Sequence, residues 1–389
     1  MRQADGFQLY HYLILNSWQF TESAVNADLV IIITCGYHTV LEEKSVYTAD
    51  TLFEVAPASA VFVITGCLTK INSRVLPSRR PFHVVPPRAL HQFDPIIDAD
   101  IPYNDTCEPY TQYSFPGLLS IKKKVTFSRI ISNFDYSHLK KISRLILTYF
   151  RNKKEKIAPV VNCRQTIRIG WGCLGACTYC AIKNANGSLT SKPYQKIRNE
   201  ITSASKKGYT EFFFVSEDTG AWGKDIEQSF SFLFENVLRS EVIKKAYFGA
   251  INPQWFLENY DILETLSGAY AEKIPYLRFP LQSGSARILE AMRRPYCIES
   301  TVLHLKLFKK NIPRIPLHTE IIAGFPGETD DDHTRTKTVL RDVGFSVVSV
   351  YPFSTRPGTE AASLPDQIQP EIIRKRVKEL EEIARKHAG

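Results

Sequence analysis

Short β-branched runs alternate with amphipathic segments along most of this chain, a pattern typical of parallel α/β folds. Near the N terminus, residues 27–35 and 60–67 are apolar runs of the kind found in strands that are buried on both faces of a sheet. Between them, residues 40–55 place apolar side chains among charged and small ones, which predicts a helix. The economical interpretation is strand, helix, strand in an open parallel sheet.

The second half of the chain repeats this alternation several times. The predicted strands are 166–170, 211–215, 246–250, 276–280, 317–323 and 345–352. The predicted helices between them are 195–207, 226–238, 286–292 and 331–343. Six parallel strands with outer helices predict a partial (β/α)6 barrel, whose active site would lie at the carboxyl ends of the strands.

The stretch between these two regions has a different character. From residue 81 to 132, seven prolines and a lysine run at 122–124 break any long element, which indicates a domain boundary. Residues 138–156 then show helical spacing of apolar positions among many lysines and arginines. This basic helix is either a solvated face or a surface that contacts phosphates. Residues 370–387 predict a charged helix near the end of the sequence.

Composition narrows the class of protein. The chain has 389 residues, enough for two or three domains, and 49 Lys and Arg against 40 Asp and Glu give a net charge of +9. This excess favours an anionic partner such as nucleic acid. Eight cysteines, three of them clustered, indicate metal chemistry in a reducing compartment, so we expect a cytoplasmic protein. No apolar run approaches the roughly 18 residues that a membrane span requires, and we predict no membrane partner.

Cys173, Cys177 and Cys180 follow the first predicted strand of the barrel with the spacing C-x3-C-x2-C. Three thiolates can hold three corners of a four-iron cubane and leave one iron open to bind and activate a ligand. Zinc is an alternative, but it would require a fourth protein ligand, and no Cys or His follows within a dozen residues. Buried structural cysteines are a second alternative.

Two further cysteines, Cys35 and Cys67, each end one of the N-terminal strands. The carboxyl ends of parallel strands converge on one crevice of an open α/β sheet. Cysteines buried in the core are the alternative interpretation. The position at the strand exit favours metal ligands.

Polar motifs at 215–220, 281–285 and 320–329 follow successive predicted strands of the barrel. Their hydroxyl, amide and carboxylate groups can bind an ammonium or a ribose, and their glycines let a cofactor approach the main chain. Taken singly, each motif reads equally well as an ordinary turn. Together they favour a cofactor pocket. The candidate residues are Ser216, Glu217, Gln282, Ser283, Glu320 and Gly324.

The cysteine spacing, with Tyr179 just before the last cysteine, resembles the radical S-adenosylmethionine superfamily. The resemblance implies a [4Fe-4S] cluster on Cys173, Cys177 and Cys180, with S-adenosylmethionine on the open iron. In that superfamily, an electron from the cluster cleaves S-adenosylmethionine to a 5′-deoxyadenosyl radical. Tyr179 and the six polar-motif residues become the candidate cofactor contacts, although packing is an equal alternative for Tyr179.

A wider set of motifs resembles the methylthiotransferases. The motifs are Ala27-Asp28-Leu29-Val30, Thr34-Cys35, Gly66-Cys67, the Cys173–Cys180 loop, Gln282-Ser283-Gly284-Ser285, Gly324-Phe325-Pro326-Gly327-Glu328-Thr329 and Arg356-Pro357-Gly358-Thr359. Within that family, the archaeal and eukaryotic branch that acts on N6-threonylcarbamoyladenosine in tRNA is resembled by Gly172-Cys173-Leu174-Gly175-Ala176-Cys177, Ser216-Glu217-Asp218-Thr219-Gly220-Ala221-Trp222-Gly223 and Asn252-Pro253. The implied domains are an N-terminal methylthiotransferase domain at 1–115, a basic linker and helix at 116–158, a radical S-adenosylmethionine domain at 159–365 and a C-terminal helix at 366–389.

The resemblance also implies function. The expected reaction is methylthiolation of C2 of N6-threonylcarbamoyladenosine at position 37 of tRNA. The expected cofactors are S-adenosylmethionine and two [4Fe-4S] clusters, the second on Cys35 and Cys67. The expected partners are the tRNA anticodon loop and an electron donor protein, with the sulfur source undetermined. Phosphate contacts are expected from the basic helix and from Arg293 and Arg294. Two alternatives concern the substrate, which would be another tRNA adenosine or a ribosomal protein. A third is that the chain is a non-catalytic iron–sulfur module that binds RNA.

The sequence departs from this family in four places. The family carries three N-terminal cysteines for its second cluster. We expect the missing one about two residues before Met1, with Cys107 or Cys163 as alternatives. We also expect the family's C-terminal RNA-binding β-barrel domain to be absent. Ile33 and Glu320 replace an Asn and an Asp and are expected to tune activity.

Overall fold

The computed structural model describes residues 2–21, 23–105, 123–129 and 164–387. Its strands are β1 (Trp18–Thr21), β2 (Leu29–Thr34), β3 (Val61–Gly66), β4 (His83–Val85), β5 (Lys123–Arg129), β6 (Arg164–Arg168), β7 (Gly170–Trp171), β8 (Thr190–Ser191), β9 (Glu211–Val215), β10 (Lys245–Phe248), β11 (Leu277–Arg278), β12 (Leu317–Ala323) and β13 (Val347–Pro352). Its α-helices are α1 (Arg2–Leu15), α2 (Thr39–Val55), α3 (Leu68–Ile71), α4 (Asp94–Ile97), α5 (Ile182–Asn186), α6 (Tyr194–Ser205), α7 (Phe230–Arg239), α8 (Pro253–Glu258), α9 (Tyr260–Ala269), α10 (Ala286–Ala291), α11 (Ile298–Asn311), α12 (Asp330–Val343) and α13 (Pro370–His387).

The N-terminal region is an open parallel sheet in the order β1-β5-β2-β3-β4. All six residues of β2 are buried, because helices cover both faces of the sheet. Leu9 of α1 shares one buried cluster with Ile31, whereas Phe53 of α2 shares the opposite cluster with Ile32. The predicted strand, helix, strand arrangement is therefore confirmed.

Strand β5 differs from expectation. Residues 123–129 lie in the stretch that we predicted as boundary and linker, and they form a strand between β1 and β2. The prolines and lysines around this stretch weaken its strand signal, whereas pairing on both sides satisfies its backbone groups. The predicted basic helix at 138–156 lies outside the described residues.

The second region is the predicted partial barrel. Strands β6, β9 and β10 form one parallel sheet and β11, β12 and β13 form another. The amide of Ile251, after β10, donates to the carbonyl of Arg278 in β11 at 2.9 Å and links the two sheets into one wall. The predicted strand at 276–280 is reduced to β11, because the flanking Pro275 and Pro280 lack an N–H for pairing.

Helix α13 closes the described chain and packs against β12, β13 and α12. Its Arg376 is buried and donates to the carboxylate and the carbonyl of Glu328, both at 2.8 Å. The predicted helix at 370–387 is thus confirmed and is attached to the end of the barrel. No helix within the described ranges is long and apolar enough to cross a membrane.

A substitution at Gly66 tests how closely the end of β3, just before Cys67, approaches β2. Its φ is +98°, and a Cβ there would lie 2.3 Å from the carbonyl oxygen of Thr34. Gly208 has a similar φ of +89° but open space around it, so Gly208→Ala is a matched control for backbone strain alone. We expect Gly208→Ala to lower the free energy of unfolding by about 1–2 kcal/mol.

Gly66→Ala should cost at least about 3 kcal/mol, because strain and a backbone clash add. Urea denaturation of both variants measures the difference. Equal losses for the two variants would contradict the close approach of β2 and β3 at this point.

Candidate active site

The cysteine loop begins directly after β7 and is fastened to the barrel. Gly172 has a φ of +70°, and a Cβ there would lie 2.1 Å from the carbonyl oxygen of Ser188, so the turn requires glycine. Thr178 is buried, and its hydroxyl donates to the carbonyl of Ala291 at 2.9 Å. Its own carbonyl accepts from the amide of Ala361 at 2.9 Å. The three cysteines are therefore held at the mouth of the barrel.

Cys173 contacts one donor and one acceptor. Its sulfur accepts from the amide of Gly175 at 3.1 Å, and its thiol donates to Asp218 Oδ2 at 3.4 Å. Asp218 is buried and also accepts from Trp255 Nε1 at 3.0 Å. Burial raises the pKa of the Cys173 thiol, and the nearby Asp218 carboxylate raises it further.

Cys177 lies beside a buried cation. Arg294 Nη1 is 3.8 Å from Cys177 Sγ, and Arg294 Nη2 donates to the carbonyl of Pro280 at 2.6 Å. The expectation that Arg294 contacts phosphates is wrong, because the residue is only 8% exposed and is used inside the barrel mouth. Its neighbour Arg293 is exposed and pairs with Glu360 at 2.8 Å.

Cys180 is the third thiol of the loop. Burial, followed by the neighbouring Cys177, raises its pKa to about 11, while the backbone amides of Ile182 and Lys183 oppose the shift. Tyr179 packs against the barrel core, and burial raises its pKa well above its ordinary value. The Lys183 ammonium donates to the carbonyl of Gly175 at 3.0 Å, which closes the loop.

The surroundings of these thiols fit an iron–sulfur cluster. Amide donors and the Arg294 guanidinium point at the sulfurs, and such groups stabilise thiolates that carry a cluster. A Cβ at Gly175 would lie 3.2 Å from Cys173 Sγ and 3.7 Å from Cys177 Sγ, so glycine leaves space between the two thiols.

The donor set agrees better with a cluster than with a single zinc ion. The loop supplies three thiols, and no further Cys or His follows within a dozen residues. Structural zinc takes four protein ligands, whereas three thiolates can hold a cubane that leaves one iron open.

Cys35 and Cys67 lie at adjacent strand ends of the N-terminal sheet. Thr34 pairs with Gly66, so the cysteine that follows each of them leaves the sheet at the same edge. The amide of Gly36 donates to Cys67 Sγ at 3.1 Å, and the amide of Tyr37 donates to Cys35 Sγ at 3.3 Å. The two thiols are thus close to each other, while their role as ligands stays a prediction.

The alternative ligands Cys107 and Cys163 lie outside the described residues.

The predicted cofactor residues after β9 have enclosed side chains, since Ser216 is buried and the side chain of Glu217 is 3% exposed. Ser216 Oγ accepts from the amide of Asp218 at 3.2 Å and shapes the turn beside Cys173. Glu217 Oε1 lies 3.7 Å from Arg168 Nη1 and accepts a hydrogen bond from Asn186 Nδ2 at 2.7 Å. The carboxylate of this motif that lies beside Cys173 is that of Asp218.

The residues after β11 hold the barrel mouth in shape. The main chain of Gln282 makes two hydrogen bonds to β12. Its amide donates to the carbonyl of Glu320 at 2.8 Å, and its carbonyl accepts from the amide of Ile322 at 2.9 Å. Ser283 is fully buried, and its hydroxyl lies 3.4 Å from that of Thr336. Glu320 itself pairs with Arg278 of β11 at 3.3 Å. Their cofactor contacts stay predictions.

The loop after β12 is fixed by the terminal helix α13. The amide of Gly324 donates to Glu328 Oε2 at 2.8 Å, and that carboxylate is bound by the buried Arg376 at 2.8 Å. A Cβ at Gly324 would lie 2.4 Å from Ile373 Cγ1 of the same helix. Helix α13 thus helps to position a loop that we predict to contact the cofactor.

A pocket lies between the N-terminal sheet and the barrel. It joins both cysteine sites, because Gly36, next to Cys35, and Cys180 both line it. Its wall includes an aromatic group in which the ring centroids of Tyr37 and Tyr351 are 6.1 Å apart. The remaining lining residues are His38, Tyr179, Ala181, Ile182, Ile322, Pro352, Phe353, Ser354 and Arg356.

Sequence reasoning missed several of these residues. Asp218 was inside a predicted motif, and its place beside Cys173 follows only from the turn geometry. Tyr37 lies two residues after Cys35, which was a usable signal. Tyr351, at the end of β13, and Trp255, on α8, are brought to the site by tertiary packing, so no local pattern marks them.

The class of protein follows from the barrel and its cysteine loop. Residues 167–338 match the model of the Radical SAM superfamily. The superfamily implies one [4Fe-4S] cluster and S-adenosylmethionine, in agreement with the donors around the three thiols. The solved radical S-adenosylmethionine methyltransferase TsrM from Kitasatospora setae, with cobalamin and a [4Fe-4S] cluster bound, is similar in fold. Its TM-score is 0.53 at 12% identity, over 87% of this chain and 66% of that one.

The particular family follows from sequence comparison. The chain is 31% identical to the probable threonylcarbamoyladenosine tRNA methylthiotransferase of Archaeoglobus fulgidus, over 99% of this chain and 81% of that protein. It is 34% identical to the threonylcarbamoyladenosine tRNA methylthiotransferase of Xenopus laevis, over 98% of this chain and 62% of that protein. The chain belongs to the threonylcarbamoyladenosine tRNA methylthiotransferase family.

Substitution of Arg294, with its neighbour Arg293 as the control, tests the electrostatics of the cysteine loop. Arg294→Gln should lower the free energy of unfolding by about 2 kcal/mol, because a buried charged donor to Pro280 is lost. It should also reduce the iron retained after cluster reconstitution, because Cys177 loses its neighbouring cation. Arg293→Gln is the control and should change neither quantity. Chemical denaturation measures the free energy of unfolding, and iron analysis measures the retained iron. Wild-type values of both for Arg294→Gln would contradict the role of Arg294 beside Cys177.

Proposed function

We propose that this chain transfers a methylthio group to C2 of N6-threonylcarbamoyladenosine at position 37 of tRNA, giving the 2-methylthio derivative. The observation that carries the proposal is the pocket that joins the two cysteine sites. Such a pocket suits a reaction in which one site activates a carbon and the other delivers sulfur to it. Membership of the threonylcarbamoyladenosine tRNA methylthiotransferase family supports the substrate.

The first requirement of this reaction is activation of an inert carbon. The C2 hydrogen of adenine is not acidic enough for an ordinary protein base. When bound, the [4Fe-4S] cluster and S-adenosylmethionine supply one-electron chemistry that removes hydrogen from such a carbon. Cys173, Cys177 and Cys180 would hold the cluster. An electron donor protein is the corresponding partner.

The second requirement is a place to hold sulfur. Cys35 and Cys67 would provide two ligands of a second [4Fe-4S] cluster, at the same edge of the N-terminal sheet. The amides of Gly36 and Tyr37, which donate to the two sulfurs, support this assignment because they stabilise thiolate ligands. The remaining reactants are the source of the sulfur and a second S-adenosylmethionine, which would supply the methyl group and leave as S-adenosylhomocysteine.

The third requirement is access for the base. A base in a single-stranded anticodon loop leaves its stack at less cost than one in a duplex. Tyr37 is 44% exposed, so its ring in the pocket wall can contact an incoming planar base. The net charge of +9 favours binding of the tRNA backbone.

The decisive experiment compares substrates. Reconstituted protein, reductant and S-adenosylmethionine are incubated separately with undermodified tRNA and with ribosomal protein, and each product is analysed by mass spectrometry. We expect only the tRNA to gain a methylthio group. A gain on the ribosomal protein would overturn the substrate, and absence of 5′-deoxyadenosine would indicate a non-catalytic RNA-binding protein.

Alanine variants of the cysteines separate the two sites. Each change at Cys173, Cys177 or Cys180 should abolish 5′-deoxyadenosine formation, because no substitute ligand lies in the loop. Cys35→Ala should retain 5′-deoxyadenosine formation and lose tRNA methylthiolation. The exposed Cys297 belongs to neither set of cysteines and supplies the control variant. Chromatography of the nucleosides measures both products, and methylthiolation by Cys35→Ala would contradict the second site.

Two tyrosines test the base contact. Tyr37→Ala should lower tRNA methylthiolation about tenfold, because stacking of one base on an aromatic ring is worth about 1–3 kcal/mol. Tyr47 is 71% exposed on the nearby helix α2, and Tyr47→Ala is the matched control. Initial rates at low tRNA concentration measure the effect. Equal rates for the two variants would show that Tyr37 does not contact the substrate.

A further inference from the structure

The carboxylate of Glu42 joins three segments of the site. Glu42 lies on α2, the helix that follows Cys35. Its Oε1 accepts from Asn72 Nδ2 at 3.2 Å, and Asn72 directly follows α3, the short helix after Cys67. Its Oε2 accepts from Arg356, which follows β13 of the barrel. One side chain therefore contacts both cysteine-bearing segments, through α2 and Asn72, and the barrel.

We propose that Glu42 is a positioning residue that sets the two N-terminal cysteines relative to the barrel site. The pairing with Arg356 is well enclosed, since the side chains of Glu42 and Arg356 are 12% and 4% exposed. In such surroundings an ion pair is only weakly screened by solvent, so its geometry is well defined. Arg356 also lines the pocket, which places this contact at the site itself.

The chemistry of Arg356 makes the contact sensitive to the charge of Glu42. Among the described residues, the buried Arg356 Nε has no hydrogen-bond partner, and the carboxylate that pairs with this guanidinium is that of Glu42. A neutral residue at position 42 would leave a buried cation without its counter-charge. The barrel segment would then shift toward solvent and away from α2.

Other contacts at the same seam keep the two regions together. Arg88 donates to the carbonyl of Asn186 at 2.8 Å and to Thr190 Oγ1 at 3.0 Å. Ile71 packs against Ala181 and Ala185 of the cysteine loop region. Loss of the Glu42 charge should therefore misalign the two cysteine sites without separating the regions. The catalytic consequence rests on the proposed function.

The first test uses neighbouring glutamates. Glu43 is exposed beside Glu42 on α2, so Glu43→Gln is a matched control for Glu42→Gln. Hydrogen–deuterium exchange of peptides spanning 36–42 and 351–356 should increase in Glu42→Gln and stay at the wild-type level in Glu43→Gln. This readout does not depend on any substrate. Unchanged exchange in Glu42→Gln would overturn the positioning role whatever the protein modifies.

The second test measures catalysis. Glu42→Gln should lower tRNA methylthiolation about 10- to 100-fold, the size of effect that a small misplacement of reacting groups produces. Formation of 5′-deoxyadenosine without tRNA should stay within about twofold of wild type, because the barrel cysteines are not in this contact. Equal losses of both products would overturn the proposal. Absence of methylthiolation in the wild type would count against the proposed function alone, because the exchange result stands independently.

A double variant distinguishes loss of the Glu42–Arg356 contact from general misfolding caused by an unpaired buried charge. Glu42→Gln combined with Arg356→Gln removes the unpaired buried charge, and it should lose no more methylthiolation than Glu42→Gln alone, because both residues act through one contact. Additive losses would overturn the proposal.

Discussion

Parallel strand pairing is the constraint on which this structure depends. In a parallel sheet all carboxyl ends lie at one edge, so every loop that follows a strand leaves on the same side. The pairing of Thr34 with Gly66 brings Cys35 and Cys67 together for this reason. The same rule in the barrel gathers the cysteine loop and the polar motifs at one mouth. Both regions thus line a single pocket, with Gly36 beside Cys35 on one side and Cys180 on the other.

Buried charges then define the pocket in detail. Arg294 beside Cys177, Asp218 beside Cys173, and the Glu42–Arg356 pair are all removed from solvent. Buried ions are costly unless they are paired, so each of these contacts restricts the local geometry. Arg376 and Glu328 play the same part where α13 meets the loop of Gly324. The site is therefore held by electrostatic contacts between elements that are distant in sequence.

The sequence predicted what local pattern controls. Runs of β-branched residues in β2 and β12 and of phenylalanines in β9 predict these strands, and the cysteine spacing predicts the cluster loop. Strand β5 was missed because prolines and lysines mask its pattern, and its place in the sheet is seen only from its pairing with β1 and β2. The place of Arg294 was misjudged because an arginine on a basic chain resembles a phosphate contact until its burial is known. Tyr351 and the Glu42–Arg356 pair depend on contacts between regions, which no local pattern encodes.

The central claim is that this chain uses two cysteine sites to methylthiolate one tRNA base. The most direct measurement is nucleoside mass spectrometry of tRNA from cells that lack the gene, carry it, or carry only its Cys35→Ala form. The account predicts 2-methylthio-N6-threonylcarbamoyladenosine only in cells with the intact gene, and unmodified N6-threonylcarbamoyladenosine in the other two. The methylthio nucleoside at full level in cells that lack the gene would contradict it.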